Sequence, residues 1–233
     1  MKTTFVFRAV LMLLTIACTK ENSSAQSSGI DGNSSTQQDI TGSDNIASVT
    51  LGTQVWMGRN LNVRHYRNGD KIPQVKDPAK WATLTTGAWC WYNNDSATGA
   101  VYGKLYNWYA INNPRGLAPE GWHIPSDSEW FAVATFLSEN PHNAGGKMKE
   151  SGPTHWLDPN VGATNSSGLK ALPGGYRSEL GQFYYINFLG YWWSSTQHGT
   201  KRAYCRRLVC YGGFIDRMSY ENEKGFSVRC VKD

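Results

Sequence analysis

The chain has 233 residues, 13% of them aromatic and 18% charged, with a formal net charge of +5. So mild a basic excess argues against a nucleic-acid partner, which calls for a dense basic face. No apolar run reaches the ~20 residues of a membrane-spanning helix.

Lys2 and Arg8 flank the start of an apolar run that continues from Ala9 to Ala17, interrupted only by Thr15, and ends at a cysteine. A basic start, roughly 15 mostly apolar residues from Phe5 and a small residue before the break are the build of a secretory signal peptide. Leu14-Thr15-Ile16-Ala17-Cys18 resembles a bacterial lipobox, with Leu14 one place further from the cysteine than is usual. The resemblance implies that residues 1–17 are removed and that Cys18 carries diacylglycerol. The expected location is then the bacterial outer membrane or cell surface, with the membrane engaged through the N-terminal lipid. Loss of Lys2 and Arg8 lowers the net charge from +5 to +3.

Residues 18–48 are rich in Ser, Gly, Asn and Gln and nearly free of large apolar side chains, so they predict a flexible tether. All ten Trp and all twelve Tyr lie beyond it, and residues 49–233 read as one domain without internal repeats. Gly52-Thr53 between Val49 and Trp56, and Asn68-Gly69 before Ile72, mark turns between short strands. A helix is expected from about Tyr102 to Asn112, with Leu105, Trp108 and Tyr109 on one face, ending before Pro114. A second begins at Ser126-Asp127-Ser128-Glu129, a capping box, and continues with Trp130, Val133, Ala134 and Leu137 at helical spacing to Asn140-Pro141. Further turns fall at Pro173-Gly174-Gly175, Gly212-Gly213 and Glu223-Lys224-Gly225. Two helices near the middle and strands toward both ends predict an α+β domain.

Cys90, Cys205, Cys210 and Cys230 remain after Cys18, an even number in a chain bound for an oxidising compartment. Cys205 and Cys210 either bridge, leaving Cys90 to Cys230, or sit on opposite faces of a strand, because five residues is an odd spacing. The five histidines show no metal-ligand spacing, so no zinc cofactor is expected. Asn93-Asn94-Asp95 and Asp158-Pro159-Asn160 offer oxygen ligands for calcium at low carboxylate density. No nucleophile elbow, phosphate loop or dinucleotide fingerprint is present, and no catalytic residue is expected.

Several landmarks fall in order: Trp56-Met57, Cys90 to Asp95, Tyr102 to Tyr109, Gly121-Trp122-His123-Ile124-Pro125-Ser126-Asp127, Ala171 to Arg177, Gly190-Tyr191-Trp192-Trp193-Ser194, and Gly225-Phe226-Ser227-Val228-Arg229-Cys230. Together they resemble the Fibrobacter succinogenes major paralogous domain family, exported domains of unassigned activity. Tyr106-Asn107-Trp108, Ile124 to Trp130 and the closing Gly225 to Arg229 are similar, more distantly, to formylglycine-generating enzymes. That likeness implies a C-type-lectin-like fold, two helices beside a small twisted antiparallel sheet with long loops. It also offers Cys205 and Cys210 as ligands for soft Cu(I) in an oxidase acting on peptide cysteine.

Trp91, Asn93, Asn94 and Asp95, together with Tyr191, Trp192 and Trp193, combine aromatic faces with polar groups, the mixture that contacts sugars. The competing account places these rings in the core of a loop-rich fold. In Trp192-Trp193, strand alternation predicts one ring buried and one turned out. The leading expectation is a surface-anchored, non-enzymatic binding or adhesive module whose partner is a carbohydrate or another envelope protein. A copper oxidase and a purely structural envelope protein are the alternatives.

Overall fold

The computed structural model describes residues 46–233. The leader at 1–17, the lipid attachment point Cys18 and nearly all of the 18–48 tether lie outside the described residues. The elements in chain order are β1 (Ser48–Leu51), β2 (Gln54–Met57), α1 (Pro78–Ala82), β3 (Trp89–Cys90), α2 (Ser96–Tyr102), β4 (Leu105–Tyr106), α3 (Trp108–Ile111), β5 (Trp122–His123) and α4 (Asp127–Leu137). They continue with α5 (Gly145–Met148), β6 (Gly174–Arg177), β7 (Phe183–Ile186), β8 (Leu189–His198), β9 (Arg202–Val209), β10 (Ile215–Glu221) and β11 (Val231–Lys232). The domain is α+β, as expected, and none of the described helices is long and apolar enough to cross a membrane.

Helix α4 forms where its capping box predicts. Ser126 Oγ accepts from Glu129 N at 3.2 Å, the Glu129 carboxylate accepts from Ser126 N at 2.7 Å, and Trp130, Val133, Ala134 and Leu137 are buried. The helix expected over residues 102–112 is instead divided. Gly103 at φ 79° ends α2, Leu105-Tyr106 pair with Trp89-Cys90, and Asn107 caps α3 by accepting from Ala110 N at 3.1 Å. The Asn107 carbonyl also accepts from Ala88 N at 2.9 Å, so this side chain satisfies β-sheet and helix backbone together.

Strands β1, β2, β11 and β5 form an antiparallel sheet in that order, in which Val231 pairs with both Trp56 and His123. The larger sheet runs β10-β9-β8-β6-β7 and is antiparallel except where β6 meets β8 at Gly175 and Gly190. Both faces of its centre are covered. Tyr191, Trp193, Cys205 and Val209 enter one apolar cluster with Tyr106 and Phe226, while Trp192, Leu208 and Cys210 enter another with Trp56 and Trp130. A third, smaller cluster gathers Trp81, Cys90, Tyr92 and Leu105.

Long loops are pinned by buried cations that bond backbone carbonyls. Lys149 Nζ donates to the carbonyls of Val161, Val209 and Gly212, each at 2.9 Å. Arg177 reaches those of Gly181 and Lys76 at 2.9 and 2.8 Å. Arg229 reaches those of Met57 and Leu169 at 2.9 and 3.0 Å and Asn60 Oδ1 at 3.0 Å. Burial draws the Arg229 pKa down to about 10. These groups solvate charge with peptide dipoles and tie chain segments that no sheet joins.

Candidate binding surface

The structure buries three of the seven expected sugar contacts. Tyr191, Trp192 and Trp193 are 4%, 2% and 0% exposed. Alternation along β8 operates, but the sheet has apolar cover on both sides, so neither tryptophan turns to solvent. Their indole N–H groups donate inward, Trp192 to Asn60 Oδ1 and Trp193 to Tyr106 O, each at 2.9 Å. Asn93 and Asn94 adopt left-handed φ of 51° and 57°, conformations that Asn tolerates. Asp95 caps α2 by accepting from Ala97 N at 2.9 Å. Only Trp91, half-buried beside this turn, keeps an aromatic surface open to a ligand.

The expected disulfides are absent: Cys90, Cys205, Cys210 and Cys230 are free and buried. Cys205 lies in one main apolar cluster and Cys210 in the other, the opposite-face arrangement that their odd spacing allows. They do not converge on one metal ion. Burial pushes all four thiols up, Cys90 to about 12 despite the nearby Arg177 guanidinium.

A surface not identified from the sequence gathers several exposed tyrosine rings. Tyr184, Tyr185 and Tyr211 are 42%, 53% and 50% exposed. Ring centroids step from Tyr176 to Tyr185 at 6.1 Å, to Phe188 at 5.9 Å, to Tyr211 at 5.5 Å, to Phe214 at 6.2 Å and to His142 at 5.2 Å. Tyr184 joins this band 5.6 Å from Tyr176. Consecutive strand residues ordinarily face opposite ways, yet both Tyr184 and Tyr185 face outward. Tyr185 has φ 62°, costly for a bulky side chain, and that conformation breaks the alternation. Gly174 pairs with Ile186 and Tyr176 with Tyr184, which leaves Gly175, itself at φ 60°, opposite Tyr185. A Cβ at Gly175 would stand 2.5 Å from Tyr184 O and 2.8 Å from the Tyr92 ring, so glycine is required there.

The hairpin holding the band is tied down from below. Asn187 Nδ2 donates to Tyr102 Oη at 2.8 Å and to His155 O at 2.7 Å, and Cys210 N donates to Phe188 O at 3.0 Å. At the far end, Phe214 borders a groove of about 440 Å³ that also presents Asn143, Lys147, Thr164 and Ser166. Burial, reinforced by neighbouring tyrosines, pushes Tyr176 up to about 12, so its hydroxyl is neutral at physiological pH. Phe183-Tyr184-Tyr185-Ile186 and Tyr211-Gly212-Gly213-Phe214 were the available signals, adjacent aromatics at turns, but nothing in their spacing discloses that they meet.

Sheet, helices and surface band define an α+β domain whose loops are fixed by buried cations and which lines up several exposed rings in one band, while Phe131 and Phe136 are exposed on α4. The chain belongs to the Fibrobacter succinogenes major domain family, whose model matches residues 49–232. No curated protein and no solved structure matches it.

Proposed function

We propose that this is a lipid-anchored, surface-displayed, non-enzymatic module that binds carbohydrate along the aromatic band. The observation carrying the proposal is the unbroken path from Tyr184 and Tyr185 through Phe188 and Tyr211 to Phe214. Sugar rings present apolar C–H faces that stack on such rings, and the polar groove beside Phe214 offers partners for the hydroxyls. Strain held at Tyr185 favours a role for its ring, because left-handed tyrosine is retained only against a cost. A C-type-lectin-like arrangement belongs to the same proposal. It is supported by α2 and α4, the longest described helices, lying in a largely antiparallel, loop-rich domain. Lipid on Cys18 and the 18–48 tether would hold the band away from an outer-membrane surface.

The test is a glycan array with the full chain, followed by calorimetry on any hit and on Tyr184→Ala and Tyr185→Ala. The expected result is binding of an extended neutral glycan, weakened at least tenfold in either variant. Absence of any binder at millimolar ligand, or affinity unchanged in both variants, overturns the reading.

A further inference from the structure

A second concavity, apart from the aromatic band, differs from it in charge. It is a groove of about 320 Å³ whose lining includes Arg64, Lys71, Gln74, Trp89 and Trp91, two cations and no acid. Its walls are built rather than incidental. Ile72 N donates to Arg64 O at 2.9 Å and His65 bridges Lys71, so a hairpin sets both cations on one edge. The opposite wall is fixed by Val75 N to Trp89 O and Trp89 N to Pro73 O, each at 3.0 Å, and by Trp89 Nε1 to Ile72 O at 2.9 Å.

Nothing among the described residues neutralises these two charges. Asp70, the acid of the same hairpin, is taken by Arg115 at 3.1 Å and by Asn68 at 3.0 Å, whereas Arg64 and Lys71 have no carboxylate partner. Arg64 Cζ lies 5.9 Å from the Trp91 ring centroid, and the buried Lys104 ammonium lies 4.7 Å from that of Trp89. Trp91 is itself held in place by Gly99: a Cβ there would come within 2.1 Å of the indole. The result is a fixed, half-buried indole beside two cations that have no carboxylate partner among the described residues, in a space fit for one sugar ring.

We propose that this groove binds a carboxylate-bearing sugar, a hexuronate residue of an acidic glycan. The carboxylate pairs with Arg64 and Lys71, Gln74 bonds ring hydroxyls, and the C–H face rests on Trp91. The site shares with the aromatic-band reading only the ligand class, and it selects for charge where the band does not.

The experiment titrates the full chain with digalacturonate and with its neutral methyl ester, each at low and high salt. Arg64→Ala/Lys71→Ala and Tyr184→Ala/Tyr185→Ala are measured in parallel. Expected are at least tenfold tighter binding of the acid than of the ester, weakening of the acid with salt, and at least tenfold loss in the Arg64/Lys71 variant alone. Acid and ester binding equally, an unaffected Arg64/Lys71 variant, or inorganic phosphate competing as well as the uronate each overturns the proposal. Both cations are exposed, so the thermal midpoint of their variant should match the parent and keep a loss of binding interpretable. Failure of the band leaves uronate binding intact, so the two readings fail separately.

Discussion

Cys205 and Cys210 stand five residues apart and face opposite cores, Cys205 beside Trp193 on the neighbouring strand and Cys210 in the cluster that holds Trp130 and Trp156. With Cys90 and Cys230 also buried and free, native protein should resist alkylation and denatured protein should take up one label at each of the four thiols. Reduction should leave the intact mass unchanged. A gain of two or four mass units on reduction would show bridges that this arrangement does not contain.

Tyr185→Asn separates strain from binding. Asn accepts the left-handed conformation at lower cost, which favours the variant by about 1 kcal/mol, while the lost ring contacts to Tyr176 and Phe188 act in the opposite sense. The expected thermal midpoint is within a few degrees of the parent, with glycan affinity down at least tenfold. Equal affinity would remove Tyr185 from the binding surface.

Gly175→Ala should be far more damaging. The added Cβ meets the Tyr184 carbonyl and the Ile186 amide at 2.5 and 2.7 Å, backbone atoms that cannot yield cheaply, at a φ of 60°. A loss of about 3 kcal/mol or more in denaturant unfolding is expected. A mild effect would mean that β6 and β7 can re-register.

Lys149→Met removes the ammonium that joins three carbonyls and leaves those of Val209 and Gly212 without a partner in the buried interior. The expected cost is about 3–5 kcal/mol. Hydrogen exchange should localise it to the segments around Val161 and Gly212. Uniform loss of protection across the sheet would contradict the view of Lys149 as a loop staple.

His123 supplies a pH dependence. Burial alone lowers its pKa, but Glu129 at 2.7 Å and Asp233 at 2.8 Å outweigh that, and the folded value is raised above 6.5. Its contribution to stability is therefore fully present below about pH 6.5 and lost as pH rises through the folded value. The thermal midpoint of the parent minus that of His123→Gln should shrink between pH 6 and 8. A difference that is flat or grows with pH would refute this.

Much of the fold was legible because its signals are local. The capping box at Ser126 and Glu129 fixes α4, and the turn at Gly52, with φ 63°, fixes the first hairpin. The expected helix at 102–112 failed because Leu105-Tyr106 find strand partners in Trp89-Cys90, a pairing invisible to helical periodicity. The site was less legible for a related reason. Alternation along Trp192-Trp193 predicts one outward ring because it assumes one wet face, and Tyr184-Tyr185 is exposed because a left-handed residue suspends alternation altogether. Of the residues singled out in advance, Trp91 keeps a place at a surface groove, and its partners Arg64 and Lys71 come from a hairpin distant in sequence.

The pairing of Val231 with Trp56 means that the first hairpin meets its neighbour only when the last strand arrives. That closure joins segments far apart in sequence, so its entropic cost must be met before the contacts of the completed sheet reward it.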